Sequence, residues 1–204
     1  MEQRRAARAG RAAVAAGGRE AGRGAVKEAL KLAALVAVIL AASFVFVSLQ
    51  QKKGYGLEEG TAAPPLRLPG LKGGQVDRES YRGRVVVVNF WATWCPPCVE
   101  EMPSLERLHR ALGGEGLIVL GVSADEDGAA LEAFVARSGL TFPILRDPGG
   151  RGPAAAWRTT GYPETFVLDG AGRIVRKIVG PTRWDTPEAV AWFRGLLKPG
   201  ASSS

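Results

Sequence analysis

The segment WATWCPPCVEEMP, residues 91–103, contains both cysteines of a chain of 204 residues. Two prolines separate Cys95 from Cys98, which gives the spacing C-x-x-C. An uninterrupted β-branched run, RVVVVNFWA at 84–92, precedes the cysteines, and residues 97–112 follow them with apolar side chains at helical spacing. These patterns predict a strand buried on both faces that leads into a helix, with the cysteines at the junction.

Strands and helices alternate through the rest of the chain. A hairpin is expected around Gly73-Gly74. The other predicted elements are strands at 116–123, 141–145, 164–169 and 173–179, and helices at 125–138 and 186–197. This order predicts an α/β sandwich with a mixed central sheet. In open α/β sheets, sites form at the edge where the cysteines fall.

The residues available do not suit a zinc site. A structural zinc ion needs about four ligands, whereas the chain offers Cys95, Cys98 and a single histidine, His109. On a straight helix His109 would lie about 16 Å along the axis from Cys98. We therefore predict no bound metal and expect His109 to be a partly exposed helix residue.

A purely structural disulfide is the second alternative to redox chemistry. The loop between the cysteines is so short that closing it removes little entropy from the unfolded chain, and a domain of about 140 residues can build a core without a crosslink. Redox chemistry fits better. Cys95 precedes the first helical turn, where backbone N–H groups and the helix dipole favour the thiolate that attacks disulfides. No cofactor other than this cysteine pair is expected.

The N-terminal region predicts a membrane anchor. Residues 1–31 carry eight basic and three acidic side chains, and the 18 residues at 32–49 are uncharged. A helix of that length spans roughly 27 Å, against roughly 30 Å for the hydrocarbon core of a bilayer. The positive tail favours a cytoplasmic N-terminus and an exported domain. The alternative is a signal peptide cleaved near Ala41-Ala42-Ser43, and both routes lead to an oxidising compartment.

The chain thus divides into five predicted segments. They are a basic cytoplasmic tail at 1–31, a transmembrane anchor at 32–49, a linker at 50–60, a globular domain at 61–198 and a disordered tail at 199–204. Much of the net charge of +7 comes from the tail, where eight basic residues face three acidic ones. The basic composition therefore gives no reason to expect that the domain binds nucleic acid.

Four motifs, NFWATWCPPC at 89–98, EMP at 101–103, FP at 142–143 and GYPETFVLD at 161–169, carry a family resemblance. They resemble the thioredoxin superfamily and, within it, the membrane-anchored thiol–disulfide oxidoreductases of the TlpA, ResA and CcmG (DsbE) type. The resemblance covers roughly residues 60–198. It implies a thioredoxin-like fold, with a central mixed sheet flanked by helices and an N-terminal hairpin extension, preceded here by one transmembrane helix.

The resemblance also implies roles for individual residues. Cys95 would be the exposed nucleophile, Cys98 the resolving thiol, and Pro163 a cis-proline that faces the pair. Tyr162, which precedes that proline, would contact the substrate chain. The other residues implied at the substrate groove are Trp94, Pro96 and Pro97.

Asn89 and Glu101 refine the expected mechanism. Asn89 stands where cytosolic thioredoxins have a buried aspartate, and an asparagine cannot take up a proton. Glu101 follows Cys98 by three residues and so shares its helical face. Our hypothesis is that Glu101 has a raised pKa in a partly apolar pocket and acts as the base for Cys98. The alternative is a solvated carboxylate like that of Glu100.

The stretch PETF, residues 163–166, most closely resembles the branch that serves cytochrome c maturation. The resemblance implies a reductase of disulfides in exported proteins, with the C-x-x-C-H haem sites of apocytochrome c as expected targets. It also implies a membrane electron donor that reduces the enzyme again, and a periplasmic domain on the inner membrane. Tyr162 is bulkier than the small residue often found in that branch, so a general extracytoplasmic reductase remains an alternative.

The sequence lacks the motifs that other functions of related folds require. A peroxidase would need P-x-x-x-T-x-x-C, and a copper-delivery protein C-x-x-x-C with a distal histidine. A strong oxidant usually has a histidine between its cysteines, where this chain has prolines, so we expect a reductant. An anchored chaperone is an alternative of another class. The hairpin, Tyr162 and an exposed Trp91 or Trp94 would form its binding surface.

Overall fold

The computed structural model describes residues 30–44 and 57–198, which belong to two compact units divided after Gly54. In the first unit, residues 30–44 form helix α1, whose side chains are exposed. Within the described ranges, no helix is both long and apolar enough to cross a membrane. Part of the predicted anchor, residues 45–49, lies outside those ranges, as do 1–29, 50–56 and 199–204. The anchor therefore remains a prediction.

The second unit has seven strands and four α-helices between residues 57 and 198. The strands are β1 (Arg67–Pro69), β2 (Gln75–Asp77), β3 (Val86–Trp91), β4 (Ile118–Ser123), β5 (Ile144–Arg146), β6 (Glu164–Leu168) and β7 (Ile174–Val179). The helices are α2 (Pro96–Leu112), α3 (Gly128–Ser138), α4 (Pro153–Ala156) and α5 (Pro187–Leu197). Short 3-10 segments lie at 78–81, 113–115 and 148–150. The sequence does not predict α4, because four residues are too few to show a helical period.

The central sheet has the strand order β5-β4-β3-β6-β7. Strands β3, β4 and β5 are parallel, whereas β6 and β7 run antiparallel to their neighbours. The predicted mixed sheet is therefore confirmed. All six residues of β3 are buried, as expected for the central strand of a sheet covered on both faces.

Alternate residues of β3 enter two separate cores. Val87 and Trp91 pack with the apolar sides of α2, α3 and α5, while Val88 and Phe90 pack with α4 and the segment around β1. The period of two along the strand sends successive side chains to opposite faces. The sheet thereby holds β3 rigidly, and the cysteine segment leaves from its C-terminal end.

The two sheet edges are covered by chain segments. The predicted hairpin forms, with Leu68 opposite Val76, and its turn glycine Gly73 has a φ of +90°. The hairpin joins β5 through a hydrogen bond of 2.8 Å from the Leu71 N–H to the Ile144 carbonyl. At the other edge, the segment before β1 pairs with the start of β7 through a bridge between residues 62 and 173. These contacts satisfy part of the backbone hydrogen bonding at each edge.

Candidate active site

Cys95 and Cys98 form a disulfide at the start of α2. Cys95 is the N-cap residue with extended backbone angles, and Cys98 is the third residue of the helix, so their Cα atoms are 5.3 Å apart. Cys98 is fully buried, and Cys95 retains only 6% of its surface. The expectation that Cys95 is exposed is therefore wrong, because its side chain packs into the same core as that of Cys98. Its role as the nucleophile stays a prediction.

The prolines between the cysteines change the predicted environment of Cys95. Pro96 is exposed and Pro97 half-buried, and they occupy the first two helical positions. Neither has a backbone N–H, so the first N–H inside the helix belongs to Cys98. A thiolate at Cys95 thus has the helix dipole but fewer backbone donors than an ordinary helix N-terminus offers. Weaker stabilisation of the thiolate makes the cysteine pair a weaker oxidant.

Asp125 fixes the loop that leads to Cys95. Its buried carboxylate accepts hydrogen bonds from the Thr93 N–H at 3.0 Å, the Thr93 hydroxyl at 2.6 Å and the Ser123 hydroxyl at 2.7 Å. The sequence analysis missed this residue. A signal was present, because Asp125 follows the buried strand β4, and the carboxyl ends of the parallel strands β3 and β4 meet at one edge.

Glu101 is buried one turn after Cys98, with 2% of its surface exposed. Its Oε1 accepts a hydrogen bond of 2.7 Å from Asn89 Nδ2. Its Oε2 accepts hydrogen bonds from the Thr182 N–H at 3.0 Å and from Trp184 Nε1 at 3.3 Å. The structure thus excludes the alternative of a solvated carboxylate, which describes only its exposed neighbour Glu100.

Burial raises the pKa of Glu101 above its ordinary value, although the hydrogen bonds from Asn89, Thr182 and Trp184 act in the opposite direction. The cost of removing a carboxylate from water exceeds the stabilisation that these donors give. Glu101 can therefore hold a proton at a higher pH than an exposed glutamate does. A carboxyl group with this property is suited to exchange a proton with a neighbouring thiol.

Asn89 connects Glu101 to the strand that follows Pro163. Its Nδ2 also donates to Thr165 Oγ1 at 2.9 Å, so one side-chain amide joins α2 to β6. Asn89 is fully buried, and its Oδ1 has no hydrogen-bond partner among the described residues. The amide thus fixes the Glu101 carboxylate in position without competing for its proton.

The peptide bond between Tyr162 and Pro163 is cis, as the resemblance implies. Pro163 is buried, and its carbonyl accepts a hydrogen bond of 2.9 Å from the Gly180 N–H. The Tyr162 ring contacts the Trp94 ring edge to face, with 5.9 Å between centroids. This contact joins the residue before Cys95 to the residue before the cis-proline.

Trp91 and Trp94 differ sharply in exposure. Trp94 exposes 64% of its surface, whereas Trp91 is fully buried and packs on Phe134 with ring centroids 5.5 Å apart. The expectation that Trp91 could belong to a binding surface is wrong, because its position in β3 directs its side chain into the core. Of the two tryptophans, only Trp94 is available to a partner.

Glu164 supports the loop before the cis-proline and was missed by the sequence analysis. Its fully buried carboxylate accepts a hydrogen bond of 2.8 Å from the Thr160 N–H, and it lies 2.5 Å from Lys177 Nζ. Lys177 comes from the neighbouring strand β7, opposite Phe166. This ion pair joins residues that are distant in sequence, so no local pattern indicates it.

Within residues 30–44 and 57–198, no group of three or more His, Cys, Asp or Glu side chains is placed to hold a metal ion. His109 is half-buried, as expected, and packs on Phe142 with ring centroids 5.9 Å apart.

Comparisons with known proteins agree with this geometry. The sequence model of the AhpC/TSA family matches residues 60–177. The thioredoxin-like protein YneN of Bacillus subtilis is 39% identical over 126 residues, which cover 60% of this chain and 72% of that protein. The thiol-disulfide oxidoreductase ResA of Halalkalibacterium halodurans is 31% identical over 172 residues, 84% of this chain and 96% of the relative.

A solved structure adds a likeness in fold. It is a secreted disulfide oxidoreductase of Mycobacterium tuberculosis, described as homologous to the DsbE of E. coli. The TM-score is 0.56 at 25% identity, and the match covers 62% of this chain and 95% of that structure.

Proposed function

This chain belongs to the AhpC/TSA family, and we propose that, as a thiol–disulfide oxidoreductase, it reduces disulfide bonds in proteins outside the cytoplasm. The observation that carries the proposal is the Cys95–Cys98 disulfide at a helix N-terminus, with the buried carboxyl group of Glu101 one turn further along. Relatives that match this chain over most of their own length are named thiol-disulfide oxidoreductases.

The reaction begins from the reduced pair. The Cys95 thiolate attacks one sulfur of the substrate disulfide, which breaks, and the other substrate sulfur leaves as a thiolate that takes up a proton. Cys98 then loses its proton and attacks the Cys95 sulfur of the mixed disulfide. The second substrate thiol is released, and the Cys95–Cys98 disulfide forms. Two electrons pass from the enzyme to the substrate, and the structure corresponds to the oxidised enzyme.

Glu101 receives the Cys98 proton in this proposal. The two residues share a helical face, both are buried, and the pKa of Glu101 is raised by burial. A base with a pKa closer to that of the thiol takes its proton more readily than an ordinary carboxylate does. Asn89, at the position of the thioredoxin aspartate, contributes only the hydrogen bond that holds Glu101.

The direction of electron transfer between enzyme and substrate depends on the stability of the Cys95 thiolate. A dithiol pair is a strong oxidant when its reduced form is stabilised. Pro96 and Pro97 remove two backbone donors near Cys95 and provide no side chain that could stabilise a thiolate. We therefore propose that the enzyme acts as a reductant and is itself reduced again by a membrane electron donor.

The surface around the site suits a polypeptide substrate. Within residues 57–198, the large apolar side chains that remain exposed are Trp94 and Val179. Trp94 precedes Cys95, and Val179 lies opposite Glu164 at the end of β7, next to Pro163. An exposed aromatic side chain next to the attacking cysteine can contact a polypeptide substrate.

The proposal extends to the location of the enzyme and to the proteins that it reduces. The uncharged segment at 32–49 and the secreted oxidoreductase among the similar structures support an exported domain on a membrane anchor. The PETF stretch at 163–166 supports apocytochrome c as the target. The bulk of Tyr162 favours the second candidate, a general reductase of exported proteins.

The test is to trap the substrate. In a Cys98→Ser variant, Cys95 can attack but nothing resolves the mixed disulfide, so targets stay attached and can be identified by mass spectrometry. A Cys95→Ser variant is the matched control, because it lacks the attacking thiol. Recovery of apocytochromes c supports haem-site reduction, and a varied set of exported proteins supports a general reductase. Absence of any adduct beyond the control would refute the proposal.

A further inference from the structure

The loop between β7 and α5, residues 180–186, holds one oxygen of the Glu101 carboxyl group. Two hydrogen bonds from this loop end on Oε2, one from the Thr182 N–H at 3.0 Å and one from Trp184 Nε1 at 3.3 Å. The bond from Asn89 Nδ2, at 2.7 Å, ends on Oε1. The two oxygens of one carboxyl group are thus held by different parts of the fold.

This division makes the two oxygens unequal as proton acceptors. An ionised carboxylate has about four acceptor sites, which is about two on each oxygen. On Oε2 both sites are occupied, by Thr182 and by Trp184. On Oε1 one site is open, because Asn89 is its single donor in the part of the chain that the structure describes. A proton that reaches Glu101 therefore finds an open site on Oε1.

Trp184 is itself fixed against α2. Its side chain is 2% exposed, belongs to the same core as the disulfide, and lies 6.3 Å from the Phe193 ring between centroids. Its backbone N–H donates to Ser104 Oγ at 3.3 Å, and the Ser104 hydroxyl donates to the Glu101 carbonyl at 2.8 Å. Trp184 is thus connected to both the side chain and the backbone of Glu101.

Charged side chains around Glu101 pair with one another. On the loop, α2 and the strands, these pairs are Asp185 with Arg107, Asp185 with Arg183, and Glu164 with Lys177. Of its titratable neighbours on α2, Glu100 is exposed and Cys98 does not titrate in the disulfide form. The pKa of Glu101 is raised by burial and lowered by hydrogen bonds from neutral groups. Removing one of those donors therefore changes the site without changing a charge.

We infer that Trp184 is a positioning residue for Glu101, which together with the Thr182 N–H occupies Oε2 and leaves Oε1 as the oxygen that takes up a proton. The inference rests on the proposed role of Glu101 as the base for Cys98. In that step the Cys98 S–H bond breaks and an O–H bond forms at Oε1. The sulfur keeps the electron pair with which it attacks the Cys95 sulfur. Oε2, now the carbonyl oxygen of a neutral acid, keeps both of its hydrogen bonds.

The first test removes the indole N–H. Trp184→Phe keeps an aromatic ring but takes one donor from Oε2, so the pKa of Glu101 should rise. NMR of the labelled Glu101 carboxyl carbon, in the oxidised full chain, should show a titration midpoint higher by about half a pH unit or more. If the variant unfolds, benzothienylalanine at position 184 keeps the ring shape and replaces the N–H by sulfur. An unchanged midpoint in a folded variant would overturn the inference.

Trp157→Phe is the matched control. Trp157 is also fully buried, and its Nε1 donates to the Pro65 carbonyl at 3.3 Å in the core on the other face of the sheet. The control variant loses the same ring volume and a hydrogen bond of the same length, but at a site away from Glu101. Its midpoint should stay at the wild-type value. Equal shifts in the two variants would mean that lost packing is the cause, and would contradict the inference.

Infrared spectroscopy tests the assignment of the proton to Oε1. Below the midpoint, the C=O band of protonated Glu101 is the band that Glu101→Gln lacks. If the proton is on Oε1, the carbonyl oxygen is Oε2, so loss of the Trp184 donor should move the band to higher frequency. An unshifted band in Trp184→Phe would show that the proton is on Oε2 and would contradict the inference.

The rate at which Cys98 resolves the mixed disulfide connects this geometry to the reaction. In Trp184→Phe, the pH at which this rate falls should move upward together with the Glu101 midpoint. In a Glu101→Gln background, Trp184→Phe should leave the pH profile unchanged, and a change there would contradict the inference. A midpoint that moves while the rate does not follow would refute Glu101 as the base, and with it the inference. A midpoint that does not move refutes the inference alone.

Discussion

Glu101 Oε1 lies 2.7 Å from Asn89 Nδ2, in a contact that is buried beneath the active-site helix. In this pair the residue that can carry a proton is on α2, one turn from Cys98, and the residue on β3 can only donate a hydrogen bond. In the proposed mechanism, the carboxyl group of Glu101 takes the proton of the second thiol. It also makes the behaviour of each residue separately testable.

Replacing Glu101 by glutamine should slow the resolution step. The variant keeps the size of the side chain but has no carboxylate to take the Cys98 proton, so the second step should fall about 10²-fold near neutral pH. Stopped-flow measurement of substrate release across a pH series checks this. In the wild-type enzyme the rate of the resolution step should fall as pH drops through the raised pKa of Glu101, which gives the pH profile an acidic limb. The variant should not show this fall. Glu100→Gln is the control, and an identical profile for Glu101→Gln and wild type would refute the role.

Folding stability should also depend on the Glu101 proton. Because the pKa of Glu101 is higher in the folded protein than its ordinary value of 4.5, the folded state binds more protons than the unfolded state between those two pKa values. Stability attributable to Glu101 is therefore fully present below about pH 4.5 and declines as pH rises through the raised pKa. Urea unfolding of wild type and Glu101→Gln at several pH values measures this difference. A stability difference between the two proteins that did not change with pH would contradict it.

An aspartate in place of Asn89 should move the pH dependence upward. The new carboxylate would lie within hydrogen-bonding distance of Glu101, and two carboxylates that share a site raise the pKa of the pair. The acidic limb of the resolution rate should move to higher pH by about one unit or more. Thr165→Val is a suitable control, because it removes the other acceptor of the Asn89 amide and adds no charge. A shift to lower pH in the aspartate variant would contradict the account.

Removing Lys177 should destabilise the cis-proline segment. Lys177→Met leaves the fully buried Glu164 carboxylate without its cation, and breaking a buried ion pair from one side costs about 3–5 kcal/mol. Urea unfolding measures the loss, and the double variant Lys177→Met/Glu164→Gln should recover part of it. Arg151→Met breaks an exposed pair with Glu126 and should cost less than about 1 kcal/mol. Equal losses in the two single variants would show that burial of Glu164 is not the cause.

Much of the fold could be predicted because its signals are local. The run at 84–92 predicted β3 as a strand buried on both faces, and the spacing of apolar residues predicted α2 with the cysteines at its start. That run also carried the information that Trp91 is buried. The proposal of an exposed Trp91 failed because a strand buried on both faces leaves neither set of its alternating side chains exposed.

The remaining features arise from contacts between residues distant in sequence. Thr182 and Trp184 donate to Glu101 from about 80 positions away, and Lys177 pairs with Glu164 from the adjacent strand β7. Neither pairing has a period or a spacing that sequence inspection can detect. The low exposure of Cys95 likewise depends on how the helix start packs into the core. The chemistry of the site was therefore predictable from the C-x-x-C motif, whereas its electrostatic surroundings were not.

The reduction potential of the Cys95–Cys98 pair tests the central claim most directly. The purified domain would be equilibrated with glutathione or dithiothreitol buffers of known potential, and the fraction of disulfide measured by thiol alkylation and mass spectrometry. The account predicts a potential below roughly −200 mV, because the prolines leave the Cys95 thiolate with few stabilising donors. A potential near about −120 mV, the value of a strong oxidant, would contradict the account. It would assign the enzyme to disulfide formation.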